Sequence, residues 1–265
     1  MKEIIKKIYG SIAKGEKKSC CGPKSCDSRG AAVSEKIGYT KEDLQAIPED
    51  AVMGLGCGNP VALASLKKGE TVVDLGAGAG IDVFLASRRV GDTGRAIGID
   101  MTEDMLKRAR ENARRGKFTN VEFKLGDIEA IPLGDRIADC VISNCVINLA
   151  SDKQKVFNEA FRILKQGGRL MVSDMVLLSD LPEKVSKSAE MYAGCVAGAL
   201  KRDDYIARIK NAGFKDISVI KEDPVRFLDY LGSDKIVSNM VENMSNEEIE
   251  KINSAVVSIK ISAKK

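Results

Sequence analysis

The sequence predicts an α/β protein: a mostly parallel, twisted sheet with helices on both faces. Three observations predict it. From residue 71 onward, short apolar runs alternate with amphipathic helical stretches. A glycine-rich turn, "DLGAGAG" at 74–80, joins the first run to the first helix. Polar residues, Asp100, Asp127 and Asn144, close successive runs. Parallel pairing demands such alternation, because each crossover must carry the chain back to the same end of the sheet.

The elements follow in order. "MKEIIKKIYGSIAK" sets Ile4, Ile5, Ile8 and Ile12 on one helical face, which suits a docking helix better than a membrane-surface anchor. Residues 15–36, with "CCGPKSC", read as irregular. A short helix is expected at 40–46 and a turn-rich stretch, "GLGCGNP", at 54–60. "TVVDL" (71–75) is a strand, "IDVFLASRRV" (81–90) a helix and "RAIGID" (95–100) a strand. The helix at 102–115 carries acids in its first turn and bases in its last, which complements its dipole. Strands are expected at 121–126, 138–144 and 168–176, and a helix at 152–165 stopped by "QGG". Beyond 176 come an inserted helical segment (180–201), a helix (202–213), a strand (214–221), helical residues 223–253 and a final strand at 255–265. The chain thus divides into an N-terminal segment with a cysteine-rich loop (1–50), a core (51–176), a lid insertion with the end of the core (177–222) and a C-terminal extension (223–265).

Composition narrows the class. The 265 residues are 44% hydrophobic and 30% charged, ordinary for a soluble globular protein. A net charge of +4, with both signs interspersed, gives no case for nucleic acid. No apolar run approaches the ~20 residues of a membrane span. Seven cysteines, an odd number without a secretion signal, point to a cytoplasmic protein with reduced thiols. There is no histidine.

The glycines of the turn permit a tight bend and let backbone N–H groups approach a ligand. A dinucleotide fingerprint would place its third glycine at 81, where Ile81 stands. The pattern Asp-x-Gly-x-Gly-x-Gly resembles the first motif of class I S-adenosylmethionine methyltransferases, which share a Rossmann-like fold. That resemblance implies S-adenosyl-L-methionine as cofactor, bound at Asp74, Gly76, Ala77, Gly78 and Gly80. It puts Asp100 on the ribose and Asp127 with Ile128 at the adenine, and Met101 and Asn144 complete the site. Read alone, Asp100 and Asp127 could equally cap helices.

A narrower resemblance rests on "GCGNP" (56–60), "DLGAGAGIDVFLAS" (74–87), "IGIDMTEDML", "SNCVINL" (143–149) and "MYAGCVAGAL" (191–200). Over roughly residues 50–220 the sequence is similar to arsenite S-adenosylmethionine methyltransferases. The resemblance implies that Cys57, Cys145 and Cys195 bind trivalent arsenic and carry its methylation, with Cys20, Cys21 and Cys26 as an upstream thiol group. Its substrate would be arsenite or its thiol complexes, and its reductant a thiol such as glutathione or thioredoxin, acting by exchange. The chemistry is coherent. Trivalent arsenic is soft and prefers thiolates. Its lone pair attacks a sulfonium methyl with no proton to remove, so no histidine base is needed. Two other readings stay open: a methyltransferase for a small organic acceptor such as a quinone or sterol, and a non-catalytic metalloid-binding module. Cys140 reads as a core residue, and a zinc site at Cys20, Cys21 and Cys26 lacks a local fourth ligand.

Overall fold

The apolar runs pair into one sheet because most of their side chains are buried on both faces. The computed structural model of the chain describes residues 2–15, 26–186, 188, 192, 195–225 and 244–265. Its strands are β1 (Thr71–Leu75), β2 (Arg95–Asp100), β3 (Val121–Leu125), β4 (Ala138–Asn144), β5 (Leu164–Leu177), β6 (Lys215–Pro224) and β7 (Val256–Lys264). They lie in the order β3-β2-β1-β4-β5-β7-β6. β1 to β5 run parallel, and β7 is antiparallel to both its neighbours, β5 and β6. Strand order reverses between β1 and β4, the place where a cleft opens beyond the carboxyl ends of such a sheet.

The described helices are α1 (Lys2–Ala13), α2 (Cys26–Lys36), α3 (Lys41–Gln45), α4 (Pro60–Leu63), α5 (Ile81–Val90), α6 (Glu103–Arg115), α7 (Lys153–Ile163), α8 (Glu183–Ser186), α9 (Arg202–Asn211) and α10 (Asn246–Ala255). One sheet face is covered by α5 and α6, through Val83, Phe84, Leu106 and Ala109. The other is covered by α7 and α9, through Val156, Phe157, Tyr205 and Ile209. A third apolar cluster sits at the carboxyl end of the strands and joins Ile5 of α1 to Cys57, Cys145, Leu149, Met175 and Cys195. The N-terminal helix therefore closes over the end of the sheet where the cleft lies. No described helix is long and apolar enough to cross a membrane.

Several boundaries depart from the sequence reading, each for a physical reason. Helix α7 ends at Ile163, short of "QGG", because fully buried Leu164 already pairs with Ala138. The glycines instead form an irregularity inside β5, clasped by Lys265, whose carbonyl accepts from Gly167 and whose N–H donates to Gly168. Residues 26–36, read as irregular, are helical. Gly30 weakened the helical signal, yet the helix needs it: a Cβ there would stand 2.3 Å from the Val52 carbonyl oxygen. In α1, Ile5 and Ile12 are buried as expected, whereas Ile4 is 46% exposed. Of the stretch read as helical at 223–253, residues 223–224 belong to β6 and 246–255 to α10. Residues 226–243 lie outside the described residues, as do Cys20 and Cys21.

Candidate functional site

The glycine-rich turn follows β1 and bends tightly. Gly76, Gly78 and Gly80 all have left-handed φ, at 74°, 52° and 100°. The N–H groups of Gly76 and Ala77 donate to the Ile99 carbonyl, and the Gly78 N–H donates to Asp100 Oδ2 at 2.9 Å. Asp100 Oδ1 accepts from the Thr102 N–H at 2.8 Å. A side chain at Gly76 would strike Val146, and one at Gly80 would strike Phe84. Around a Cβ placed on Gly78 there is open space, so the loop presents bare backbone to the cleft at that point.

Two buried acids, Asp74 and Asp82, and the half-buried Asp100 stand by the loop. Burial, then the neighbouring Asp82 and Asp100, push the Asp74 carboxyl well above the usual range. Burial raises Asp82 to about 6 and also raises Asp100. No ion pair reaches these acids among the described residues. Such a pocket suits a cationic guest, and S-adenosylmethionine carries a sulfonium and an ammonium. Charge and open backbone both fit that cofactor.

The adenine-side residues are placed differently. Asp127 accepts from Lys2 Nζ at 2.6 Å and from the Glu129 N–H at 2.9 Å. Burial alone would raise its pKa, but these bonds outweigh it and hold the carboxyl below its usual range. Ile128 is buried in the main core cluster. Met101 borders the cysteine cluster at the strand ends.

The cysteines sit beside this loop. Cys145 follows β4 with φ 58°, and Cys195 has φ 64°. Left-handed backbone costs a non-glycine residue roughly 1–2 kcal/mol, and such strain gathers where function requires a fixed geometry. The Cys145 N–H donates to the Ser173 carbonyl at 2.8 Å, which sets the turn against β5. The sulfurs of Cys57 and Cys145 and a carboxylate oxygen of Asp174 all lie within 4.8 Å of one another. Thiolate bonds of about 2.3 Å on a pyramidal centre set two sulfurs about 3.5–4 Å apart, a spacing that the 4.8 Å bound admits. Cys195 joins this group: its thiol bonds the Cys145 thiol and also donates to the Cys145 carbonyl at 2.7 Å. Bonding with Cys195 and Cys57, then burial, push the Cys145 thiol well above its usual range. The bond to Cys145 lowers the Cys195 pKa, but burial and nearby negative groups raise it overall.

Cys57 is held by its neighbours. Asn144 Oδ1 accepts from the Cys57 N–H at 3.0 Å. Asn144 Nδ2 approaches the Gly58 carbonyl (2.7 Å), Tyr39 Oη (2.9 Å) and Asp82 Oδ2 (3.1 Å). Tyr39 donates to Asp82 Oδ1 at 2.8 Å. The flanking glycines make this packing possible: a Cβ on Gly56 would meet the Asn144 amide at 2.8 Å, and one on Gly58 would meet Ser173 Oγ at 1.9 Å. Ser258 Oγ donates to the Cys57 carbonyl at 2.8 Å and ties the loop to β7. Asn144, expected on the cofactor, has its side chain committed to the Cys57 loop.

Sequence reasoning missed Asp174, Tyr39 and Asp82. Asp174 is fully buried in β5 and accepts from Asn148 Nδ2 (2.9 Å), the Met175 N–H (2.9 Å) and Tyr205 Oη (3.0 Å). Burial raises its pKa to about 7. A charged residue in the apolar run "LMVSDMVL" was the available signal.

Residues 66–247 match the family model of a methyltransferase domain. The chain is 40% identical over 232 residues to an arsenite methyltransferase from Halobacterium salinarum, covering 84% of this chain and 59% of that protein. It is 32% identical over 247 residues to one from Aquipseudomonas alcaligenes, covering 89% and 68%. The chain belongs to the arsenite methyltransferase family. A solved structure of an arsenic (III) S-adenosylmethionine methyltransferase from Chlamydomonas reinhardtii is similar to it at TM-score 0.64 and 30% identity, over 92% of this chain and 75% of that one. The family expected from the sequence and its class I methyltransferase fold are therefore those found. The chain spans about three-fifths of the length of its Halobacterium relative. The methyltransferase-domain match takes in the glycine loop, Asp100, Asn144, Cys145 and Cys195, and leaves Cys57 outside. The Cys57 loop is joined to the matched domain through Asn144, and to β7, beyond that match, through Ser258.

Proposed function

We propose that the chain methylates trivalent arsenic, held on Cys57, Cys145 and Cys195, at the expense of S-adenosylmethionine. The observation that carries this reading is the convergence of the Cys57 and Cys145 sulfurs within 4.8 Å at the strand ends, with the Cys195 thiol bonded to Cys145. The open backbone at Gly78 and the acids Asp74, Asp82 and Asp100 form the cofactor half. When bound, the cofactor supplies a methyl group on a sulfonium, open to the arsenic lone pair. The residues of this chain position and shield. Asn144 and the flanking glycines fix Cys57, the Ser173 carbonyl fixes Cys145, and Ile5 with Leu149 keeps the thiols dry. Positioning of this kind contributes up to ~7–11 kcal/mol of barrier lowering. Cys195 is the third thiol of the set, close enough to bond the Cys145 carbonyl. The free thiols suit a reducing compartment, and glutathione or thioredoxin is the partner that would keep them reduced.

The test is product analysis. Protein, S-adenosylmethionine, arsenite and a thiol reductant are mixed, and methylated arsenicals and S-adenosylhomocysteine are measured together by mass spectrometry. Both should accumulate in parallel, and Cys57→Ser or Cys145→Ser should abolish both. Turnover that survives both substitutions would instead favour a small organic acceptor. Arsenic binding without cofactor consumption would make the chain a metalloid-binding module.

A further inference from the structure

We infer that Gly198 sets how many thiols the metalloid meets: its bare backbone lets Cys195 come down onto Cys145. It is a positioning residue, and a side chain there leaves a two-thiol site. The inference rests on the reading of Cys57, Cys145 and Cys195 as the acceptor site.

Both thiols are keyed to one turn. Cys145 leads into the turn Ile147–Leu149. That turn is held from below. Asn148 is fully buried, and its Nδ2 donates to Asp174 Oδ1 at 2.9 Å and to the Met175 carbonyl at 2.7 Å, which ties it to β5. Cys195 belongs to the segment that rests on this turn. Its N–H donates to the Tyr192 carbonyl at 2.9 Å, and the Ala199 N–H donates to the Val196 carbonyl at 3.1 Å, so the chain around the thiol is wound. Tyr192 Oη reaches the Leu149 and Ala150 carbonyls, each at 3.4 Å. Gly198 lies directly on the Asn148 carbonyl. A Cβ on it would stand 2.4 Å from that oxygen and 3.0 Å from Tyr192 Cε2. Just beyond, the Leu200 carbonyl accepts from the Leu177 N–H at 2.9 Å and fixes the far end of the segment to β5. Gly198 is not among the glycines with left-handed φ, so alanine there carries no backbone penalty. Its cost is the contact with the turn.

Moving a Cβ from 2.4 Å to an ordinary 3.4 Å lifts the segment by about 1 Å. The Cys195 thiol, bonded to the thiol and the carbonyl of Cys145, rises with it. A hydrogen bond stretched by about 1 Å is lost. Loading keeps the oxidation state of arsenic. Arsenous acid, As(OH)3, and three thiols give a trithiolate and three waters, each thiol proton leaving with a hydroxyl. With Cys195 lifted, two thiols give a dithiolate that keeps one As–OH, plus two waters, and Cys195 keeps its proton.

The test counts sulfurs on bound arsenic. The parent chain carries Cys20→Ser, Cys21→Ser and Cys26→Ser, and is loaded with arsenite in a phosphine reductant without cofactor. Arsenic X-ray absorption should find three sulfur neighbours in the parent. It should find two sulfurs and one oxygen in Gly198→Ala, as in Cys195→Ser. Calorimetric arsenite affinity should fall at least about tenfold in each variant. Gly198→Ala added to Cys195→Ser should change it by less than about twofold, because the contact acts through that thiol. S-adenosylmethionine affinity should stay within about twofold, which reports an intact fold. A loss beyond that of Cys195→Ser, in the single or the double variant, overturns the inference. So does loss of cofactor affinity, since the glycine would then hold the fold rather than one thiol. If the parent shows fewer than three sulfurs, the reading of Cys195 as a ligand has failed and the inference with it. If Cys195→Ser drops to two sulfurs while Gly198→Ala keeps three, only the role of Gly198 has failed.

Discussion

The placement of Cys57 depends on a contact with no slack, and Gly58→Ala probes it. The added methyl carbon would stand 1.9 Å from Ser173 Oγ, 2.8 Å from Ser173 Cβ and 3.2 Å from Lys260 Cε. Rotating the serine relieves the first contact but not the second. Ser173 Cβ is fixed by β5, which pairs with β4 on one edge and β7 on the other. Lengthening the Cβ contact from 2.8 Å to an ordinary 3.4 Å moves the 56–58 segment by about 0.6 Å, the difference of the two. Overpacking of this size costs about 1–3 kcal/mol. The displaced segment carries Cys57, and a misplacement of about 1 Å costs on the order of 100-fold in rate, so about half of that costs on the order of tenfold. Gly58→Ala should lower the unfolding free energy in urea by about 1–3 kcal/mol. It should slow arsenite methylation about tenfold and leave S-adenosylmethionine affinity unchanged. Ser173→Gly removes both offending atoms, so the double variant should recover most of the stability and rate, with a coupling energy of about 1–2 kcal/mol. If Gly58→Ala is silent in both assays, or Ser173→Gly rescues neither, this contact does not place Cys57.

Asn144→Ala strips the Cys57 N–H, the Gly58 carbonyl and Asp82 of a shared partner. Urea unfolding should show a loss of about 3–5 kcal/mol, from two neutral bonds and one to a charged group, and arsenite affinity should fall further than cofactor affinity. Gly78→Ala meets no atom within 4 Å but sits at φ 52°, so unfolding should register only about 1–2 kcal/mol, whereas calorimetric S-adenosylmethionine binding should weaken more than about tenfold. Burial lifts Asp82 to about 6, above the ~3.9 of an unfolded chain. Its stability contribution is therefore full at low pH and is lost as pH rises through about 6. Relative to Asp82→Asn, the wild-type chain should lose about 3 kcal/mol between about pH 4 and pH 7.5, and a difference independent of pH would refute this.

The parallel core was legible because its signals are local. "TVVDL", "RAIGID" and "ADCVISN" match β1, β2 and β4 residue for residue, since buried parallel strands read as continuous apolar runs. Boundaries failed where a tertiary contact overrode a local cue. Pairing of Leu164 with Ala138 ended α7 before its glycines, and a close backbone approach put Gly30 inside a helix. Cys57 and Cys145 could be named from the sequence, but what holds them could not. Tyr39, Asp82 and Asn144 meet across sequence separations of 43, 62 and 105 residues, and no periodicity encodes such a junction. Asn144 could be placed at a strand end, yet its partners depend on how the 56–58 loop folds back, which only packing reveals.

The burial of the thiols bears on which guest they accept. A divalent cation binds thiolates, so each thiol must first give up its proton. Every unit by which a thiol pKa is raised adds about 1.4 kcal/mol to that cost at a given pH. Cys145 is pushed well above its usual range, which disfavours cationic metals. Arsenous acid meets no such penalty, because it is neutral and each displaced hydroxyl carries a thiol proton away as water. Across the cleft the logic runs the other way. Buried Asp74 and Asp82 and half-buried Asp100 have no cationic partner among the described residues, so a positively charged guest relieves their desolvation. A thiol pocket beside an acidic one thus favours a neutral acceptor on one side and a cationic donor on the other. On the proposed reaction, the thiol protons would leave as water and the cofactor would supply an already activated methyl group, so no step would call for a histidine.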